Sequence, residues 1–136
     1  MIQVELNKII IDEKREDQII VLKEKDGERQ FPIVIGFTEA SSIKMKISSI
    51  ETPRPLTHDL LFLSIESLGA KIDQLVIDKL VNSTFHAKLL LKDRDGKIQT
   101  VDARPSDGIA LAVRAKAPIF VDEEVLKKAS IFSATE

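Results

Sequence analysis

The chain has 136 residues, of which 43% are apolar and 31% charged, with 22 acidic and 20 basic side chains and a net charge of −2. That length predicts a single domain, residues 1–136, able to bury a core without staples, and the composition excludes a disordered chain. The absence of cysteine excludes disulfides, thiolate zinc sites and cysteine nucleophiles, and the missing basic excess, with no Trp or Tyr, argues against a dedicated nucleic-acid binder.

The first part of the chain reads as strands. "IQVELNKIII" puts Ile2, Val4, Leu6 and Ile10 on one face, and Ile9 and Ile11 on the other predict a bulge or two covered faces at its far end. "QIIVLKEKDGERQFPIVIG" predicts a hairpin, with Asp26-Gly27 supplying the positive φ of a tight turn. Ile19 to Leu22 are apolar on both faces, as in an interior strand, while Pro32 places the next strand at an edge. Thr38 is expected to cap a helix through "EASSIKMKISSI", with Ala40, Ile43, Ile47 and Ile50 on its buried face. Pro53 and Pro55 stop it. Thr57 is expected to cap the next helix, "HDLLFLSIESLG", which Gly69 closes. Leu60, Leu61, Phe62, Leu63, Ile65 and Leu68 make that helix apolar over more than one stripe, so it is expected in the core or against a second subunit, as a homodimer. A second run of strands follows, with a hairpin turn at Asp95-Gly96. Then come the helix of "RPSDGIALAVRAKA", a short strand "IFV" and a short helix "DEEVLKKA". Strands followed by helices, twice, predict an α+β fold with a mostly antiparallel sheet built from hairpins and helices packed against it.

The start "MIQVELNKII" shows no signal-peptide pattern, and no apolar run approaches the ~18 residues that span a bilayer. A cytoplasmic protein with no membrane partner is therefore expected.

Two polar blocks interrupt the apolar pattern. "VDARPSD" ends a strand and opens a helix. As helix-start chemistry, Pro105 suits the first turn, Ser106 or Asp107 meets a free N–H, and Asp102 and Arg104 form a surface pair. As a reaction site, Asp102 and Asp107 would hold a divalent cation, and Arg104 would grip a phosphate in bidentate fashion. "PRPLTHD" reads likewise as a cap with His58 exposed, or as a proton carrier, His58, oriented by a carboxylate. Two histidines without cysteine make a poor zinc set, which leaves Mg²⁺ or Mn²⁺ as the metal reading. There is no Walker loop, no G-x-S-x-G and no G-x-G-x-x-G, and nothing indicates an organic cofactor.

Three segments in this order, "FPIVIGFTEASSI", "PRPLTHDLL" and "VDARPSDGIALAVRAKAPIFVDEEVL", resemble the bifunctional nuclease domain family of bacteria and plants. The resemblance covers nearly the whole chain. The family's polar blocks match at Pro53, Arg54, Pro55, Thr57, His58 and Asp59, and at Asp102 to Asp107, and Glu39-Ala40 also fits. The resemblance implies hydrolysis of DNA and RNA, with nucleic acid as substrate. It favours one shared site in which Asp102, Asp107 and Asp59 or Glu39 hold Mg²⁺ or Mn²⁺ that activates water. Arg104, helped by Arg54, would clamp phosphate, His58 would shuttle a proton, and Ser106 would position a group. The alternative expectation is a non-catalytic homodimeric module that holds a ligand or partner at the same polar corner.

Overall fold

In the computed structural model, which describes residues 1–130, the first apolar alternation becomes three antiparallel strands: β1 (Ile2–Ile10), β2 (Asp17–Glu24) and β3 (Gln30–Gly36). Helices α1 (Phe37–Ile47) and α2 (Thr57–Ser67) follow. The second run gives β4 (Lys71–Val81), β5 (Thr84–Lys92) and β6 (Ile98–Ala103). Helix α3 (Pro105–Ala115), strand β7 (Ile119–Val121) and helix α4 (Glu123–Ala129) complete the order. All seven strands join one sheet, ordered β3-β2-β1-β7-β4-β5-β6. Every pairing is antiparallel except that of β7 with β4. This is the mixed α+β architecture that the element order predicts, and Pro32 does lie on an edge strand.

The short strand β7 joins the two halves, pairing with β1 on one side and β4 on the other. Helix α3 therefore runs from the edge strand β6 back to the middle of the sheet, across its face. It packs on β4 and β5 beneath and on α1 and α2 above. Pro105, Ser106, Gly108 to Ala112 and Arg114 are all buried. The small residues of "GIALA" let its neighbours approach. Gly108 is the tightest point, because a Cβ there would run into the Leu75 side chain of β4. The sheet curls far enough to bring Phe31 of β3 and Phe85 of β5 within 5.7 Å, centroid to centroid.

Several local expectations shift. The register of β1 against β2 slips between Leu6 and Lys8. This bulge turns Ile9 and Ile11 toward the core with Ile2 and Leu6, and leaves Ile10 exposed instead of sharing their face. Helix α1 starts from Gly36 and α2 from Leu56, so Thr38 and Thr57 lie inside the helices and do not cap them. Ala40 and Ile43 are buried, but Ile47 and Ile50 are exposed. The Asp26-Gly27 hairpin forms without positive φ at either residue, because its loop is longer than a two-residue turn; Gly96 does take φ +81°. The tightest hairpin is Asn82-Ser83, where two non-glycine residues adopt φ 51° and 65°. Gly69 closes α2 as expected, at φ +81°.

Helix α4 packs against β3 and β4. Its start is clasped by Arg29, which donates to Glu123 at 2.7 and 3.0 Å and to Glu24 of β2 at 2.9 and 3.3 Å. Arg29 lowers the pKa of both carboxyl groups. Groups with depressed folded values stabilise the protein above their unfolded pKa and lose that contribution as pH falls through the folded one. Thermal midpoints measured from neutral pH to well below 4.5, the ordinary glutamate value, should therefore drop more steeply in wild type than in Arg29→Met. Parallel curves would show that the clasp contributes nothing.

Gly108→Ala tests the α3–β4 contact. Alanine normally gains about 1 kcal/mol over glycine in a helix, whereas overpacking a core costs about 1–3 kcal/mol. The expected outcome is a lower denaturant midpoint for Gly108→Ala, and a less than additive loss when it is combined with Leu75→Val.

Candidate functional site

The site is built where α3 begins. Arg104 is extended, Pro105 opens the helix, and among the described residues no side chain caps it. Asp107, in the first turn, is turned sideways instead. Its Oδ1 lies 2.9 Å from His58 Nε2, at the start of α2, and its Oδ2 accepts from Arg104 Nε at 2.9 Å. Arg104 Nη2 also reaches Glu39 Oε2 of α1 at 3.4 Å. On the other side of the ring, His58 Nδ1 lies 2.7 Å from Ser42 Oγ of α1. Arg114, two turns after Asp107 on the same helix face, donates to Ser42 Oγ at 3.1 Å, to Asp59 Oδ1 at 2.7 Å and to the Ala110 carbonyl at 2.8 Å. Asp59 Oδ2 in turn accepts the Leu56 N–H at 2.9 Å. One polar chain, Glu39–Arg104–Asp107–His58–Ser42–Arg114–Asp59, thus threads α1, α2 and α3.

The direction of these bonds follows from the donor inventory. Arg114 can only donate, so Ser42 Oγ accepts from it and keeps its own proton to give. With that proton directed to His58 Nδ1, the neutral ring carries its hydrogen on Nε2 and donates it to Asp107. Protonated His58 would instead donate from both nitrogens, and Ser42 and Asp107 can accept both. The neutral ring therefore satisfies Ser42 and Asp107 together, whereas a doubly protonated ring would take the acceptor of the Ser42 proton away.

Burial is deepest in the middle of the chain. The side chain of Arg114 is 3% exposed and that of His58 11%, against 30% for Asp107 and 67% for Arg104. Solvent therefore reaches the chain at both ends, at Arg104 and Asp107 on one side and at Asp59, 32% exposed, on the other. Burial opposes ionisation of Asp59. The bonds from Arg114 and the Leu56 N–H, with the charges of Arg114 and Lys46, outweigh it and hold the carboxyl below its usual range. The hydrogen bond and charge of Asp107, with a smaller share from Glu39, raise the pKa of Arg104 further.

Of the residues singled out from sequence, His58, Asp59, Asp107, Arg104 and Glu39 meet in this chain. His58 is buried, not exposed as a simple cap would leave it. Asp102 stands apart on β6, where it accepts from Lys88 at 3.1 Å. Ser106 is buried in the first turn of α3 with no hydrogen bond among the described residues. Arg54 is exposed in the proline loop. Ser42 and Arg114 were not singled out, although the seven-residue spacing of Asp107 and Arg114 marks one helix face.

The expected cation ligands do not fit one ion. Asp102 is held at Lys88, while Asp107 and Glu39 converge on the Arg104 guanidinium, which occupies the position between them. Among the described residues, no group of three or more His, Asp or Glu side chains is placed to hold a metal.

A family model described as the bifunctional nuclease domain matches residues 20–134. An uncharacterized protein of Mycobacterium tuberculosis is 39% identical over 128 residues, covering 94% of this chain and 76% of its own length. Bifunctional nuclease 1 of Oryza sativa subsp. japonica is 28% identical over 109 residues, and bifunctional nuclease 2 of Arabidopsis thaliana 28% over 107. The chain spans about a third of the length of these plant proteins, 33% and 32%. With the two polar blocks matched in sequence and brought together in space, the chain belongs to the bifunctional nuclease domain family.

Proposed function

We propose that this chain is a nuclease that hydrolyses phosphodiester bonds of DNA and RNA with low sequence selectivity. Family membership supports a nuclease function, and the observation that carries the reading to particular residues is the 2.9 Å contact of His58 with Asp107. It ties the two polar blocks into one ionisable pair, with a guanidinium beside it. In this reading Asp107, the more exposed member, takes the proton of the attacking water as its oxygen bonds to phosphorus. His58 steadies the protonated carboxyl, and the pair returns the proton to the leaving oxygen as the old P–O bond breaks. Arg104 offsets the charge that gathers on the phosphoryl oxygens. Asp59, Arg114 and Ser42 hold the imidazole from behind. No step is assigned to a metal, because the carboxylates do not converge on a cation.

The test is cleavage of single-stranded DNA and RNA by highly purified protein, with Mg²⁺, with Mn²⁺ and with excess chelator. Asp107→Asn, His58→Gln and Arg104→Ala should each lose roughly 10²-fold or more, the scale of a lost acid–base or charge-stabilising group. Asparagine and glutamine keep the shape and some of the hydrogen bonds, so thermal midpoints separate chemistry from folding. The losses should also be far from additive. Variants that cleave like wild type, or losses that track stability, would remove these residues from the reaction.

We further propose that the chain is a homodimer that buries the outer face of α2. His58 is the one buried residue of that helix, while Leu60 and Leu68 are 60% and 74% exposed and Leu61 and Leu63 also face outward. The surface continues across a groove of about 360 Å³ lined by Met45, Ile50, Pro53 and Leu63. A two-fold axis would set this patch against itself, so that one sequence feature covers both copies. Sedimentation equilibrium should give a dimer at micromolar concentration, and Leu60→Lys with Leu63→Lys should give a monomer. A monomeric wild type would refute the assignment.

A further inference from the structure

A second cleft, of about 400 Å³, opens on the far side of Arg104, between the edge strand β3 and the start of α3. Its walls include Pro32, Val34, Ser83, Thr84 and Phe85, and Arg104 and Ser106 form its inner end. Ser106 is only 6% exposed, yet its hydroxyl has no hydrogen-bond partner among the described residues and opens onto this cleft. A hydroxyl that no protein group engages at the wall of a cleft is free to bond a ligand oxygen. Beside it, the N–H groups of Ser106 and Asp107 begin α3 with no earlier turn to bond to and no side-chain cap. Arg104 donates to Asp107 and Glu39 from Nε and Nη2 only, which leaves Nη1 free among the described residues.

We propose that this cleft is the seat of a phosphate group, held by Ser106 Oγ, the first free N–H groups of α3 and Arg104 Nη1. Donors from a helix start and a guanidinium fork suit a tetrahedral oxyanion. The charges nearby permit it: Arg104 and His58 already engage Asp107 and Glu39, and Asp17, which also lines the cleft, is exposed to solvent. The volume matches a small-ligand pocket, and the apolar wall of Pro32, Val34 and Phe85 gives room for a nucleoside beside the phosphate. The proposal deepens the nuclease reading by naming where the substrate phosphate sits, and it assigns Ser106 to binding.

The experiment is a titration of the full chain with inorganic phosphate and with thymidine 5′-monophosphate, at constant ionic strength set by chloride, followed through backbone amide shifts. Both probes should move the Ser106, Asp107 and Gly108 amides saturably, and the nucleotide should also move residues around Val34 and Phe85. Ser106→Ala should weaken binding several-fold and Arg104→Gln about tenfold, with amide spectra otherwise native. No saturable shift, shifts centred elsewhere, or equal affinity in Ser106→Ala would overturn the seat. The readout needs no turnover. A chain that binds phosphate here but cleaves nothing loses only the nuclease reading, and one that cleaves with its phosphate elsewhere loses only this site.

Discussion

A guanidinium enclosed between helices cannot shed its charge, so the helices must be arranged around it. Arg114 is that group. It leaves α3 toward the junction of α1 and α2 and is met there by a carboxylate from one, a hydroxyl from the other and a carbonyl of its own helix. Losing one partner from such a set costs more than the set contributes over an apolar packing, because it strands a buried charge. The relative positions of the three helices are thereby constrained by hydrogen-bond geometry as well as by apolar fit. Ser42 is the pivot. It accepts from Arg114 and faces His58, so the same buried charge that fixes the helices also fixes the imidazole.

The sheet explains why such a junction exists at this place. β7 is only three residues long, yet it sits between the two halves of the sheet. The chain must reach it from β6 at the outer edge, and α3 is the route. A helix forced across the sheet face is covered from below by the strands and from above by α1 and α2, which accounts for its glycine and alanines. Its first turn emerges at the rim beside the start of α2. The two polar blocks, more than 40 residues apart in sequence, meet there because the topology delivers both helix starts to one rim.

Much of the fold was legible from local chemistry. Pro32 marked an edge strand, the apolar run Ile19 to Leu22 an interior one, and Gly69 a helix end, because each follows from hydrogen bonding or φ at a single place. What escaped were features that local chemistry does not determine. The bulge in β1 was signalled by Ile9 and Ile11, but not its position after Leu6, so Ile10 was set on the core face and is exposed instead. Asn82-Ser83 makes the tightest turn without glycine. The first turns of α1 and α2 run past the threonines, so Thr38 and Thr57 do not cap. The site was legible to the same depth. Its ionisable residues stood out as unusual polar blocks, whereas Ser42 and Arg114 lay inside helical patterns and gained their role only from contacts with other elements. Asp102 stood out equally and went elsewhere, since strand alternation sets it beside Lys88 of β5.

The orientation of Asp107 bears on the two ways of reading "VDARPSD". An acidic residue in the first turn of a helix is favourable merely by its charge, and at the third helical position it can also reach back to the backbone N–H of the N-cap residue. Asp107 does not. Both of its oxygens are committed outward, to His58 and Arg104, and Ser106 beside it makes no hydrogen bond among the described residues. Two local opportunities for stabilisation are thus left unused at the same helix start. Natural sequences forgo such consistency chiefly at functional sites. The cluster there combines an ionisable pair, a part-exposed cation and free donors around a cleft, and on those features the proposed reaction rests.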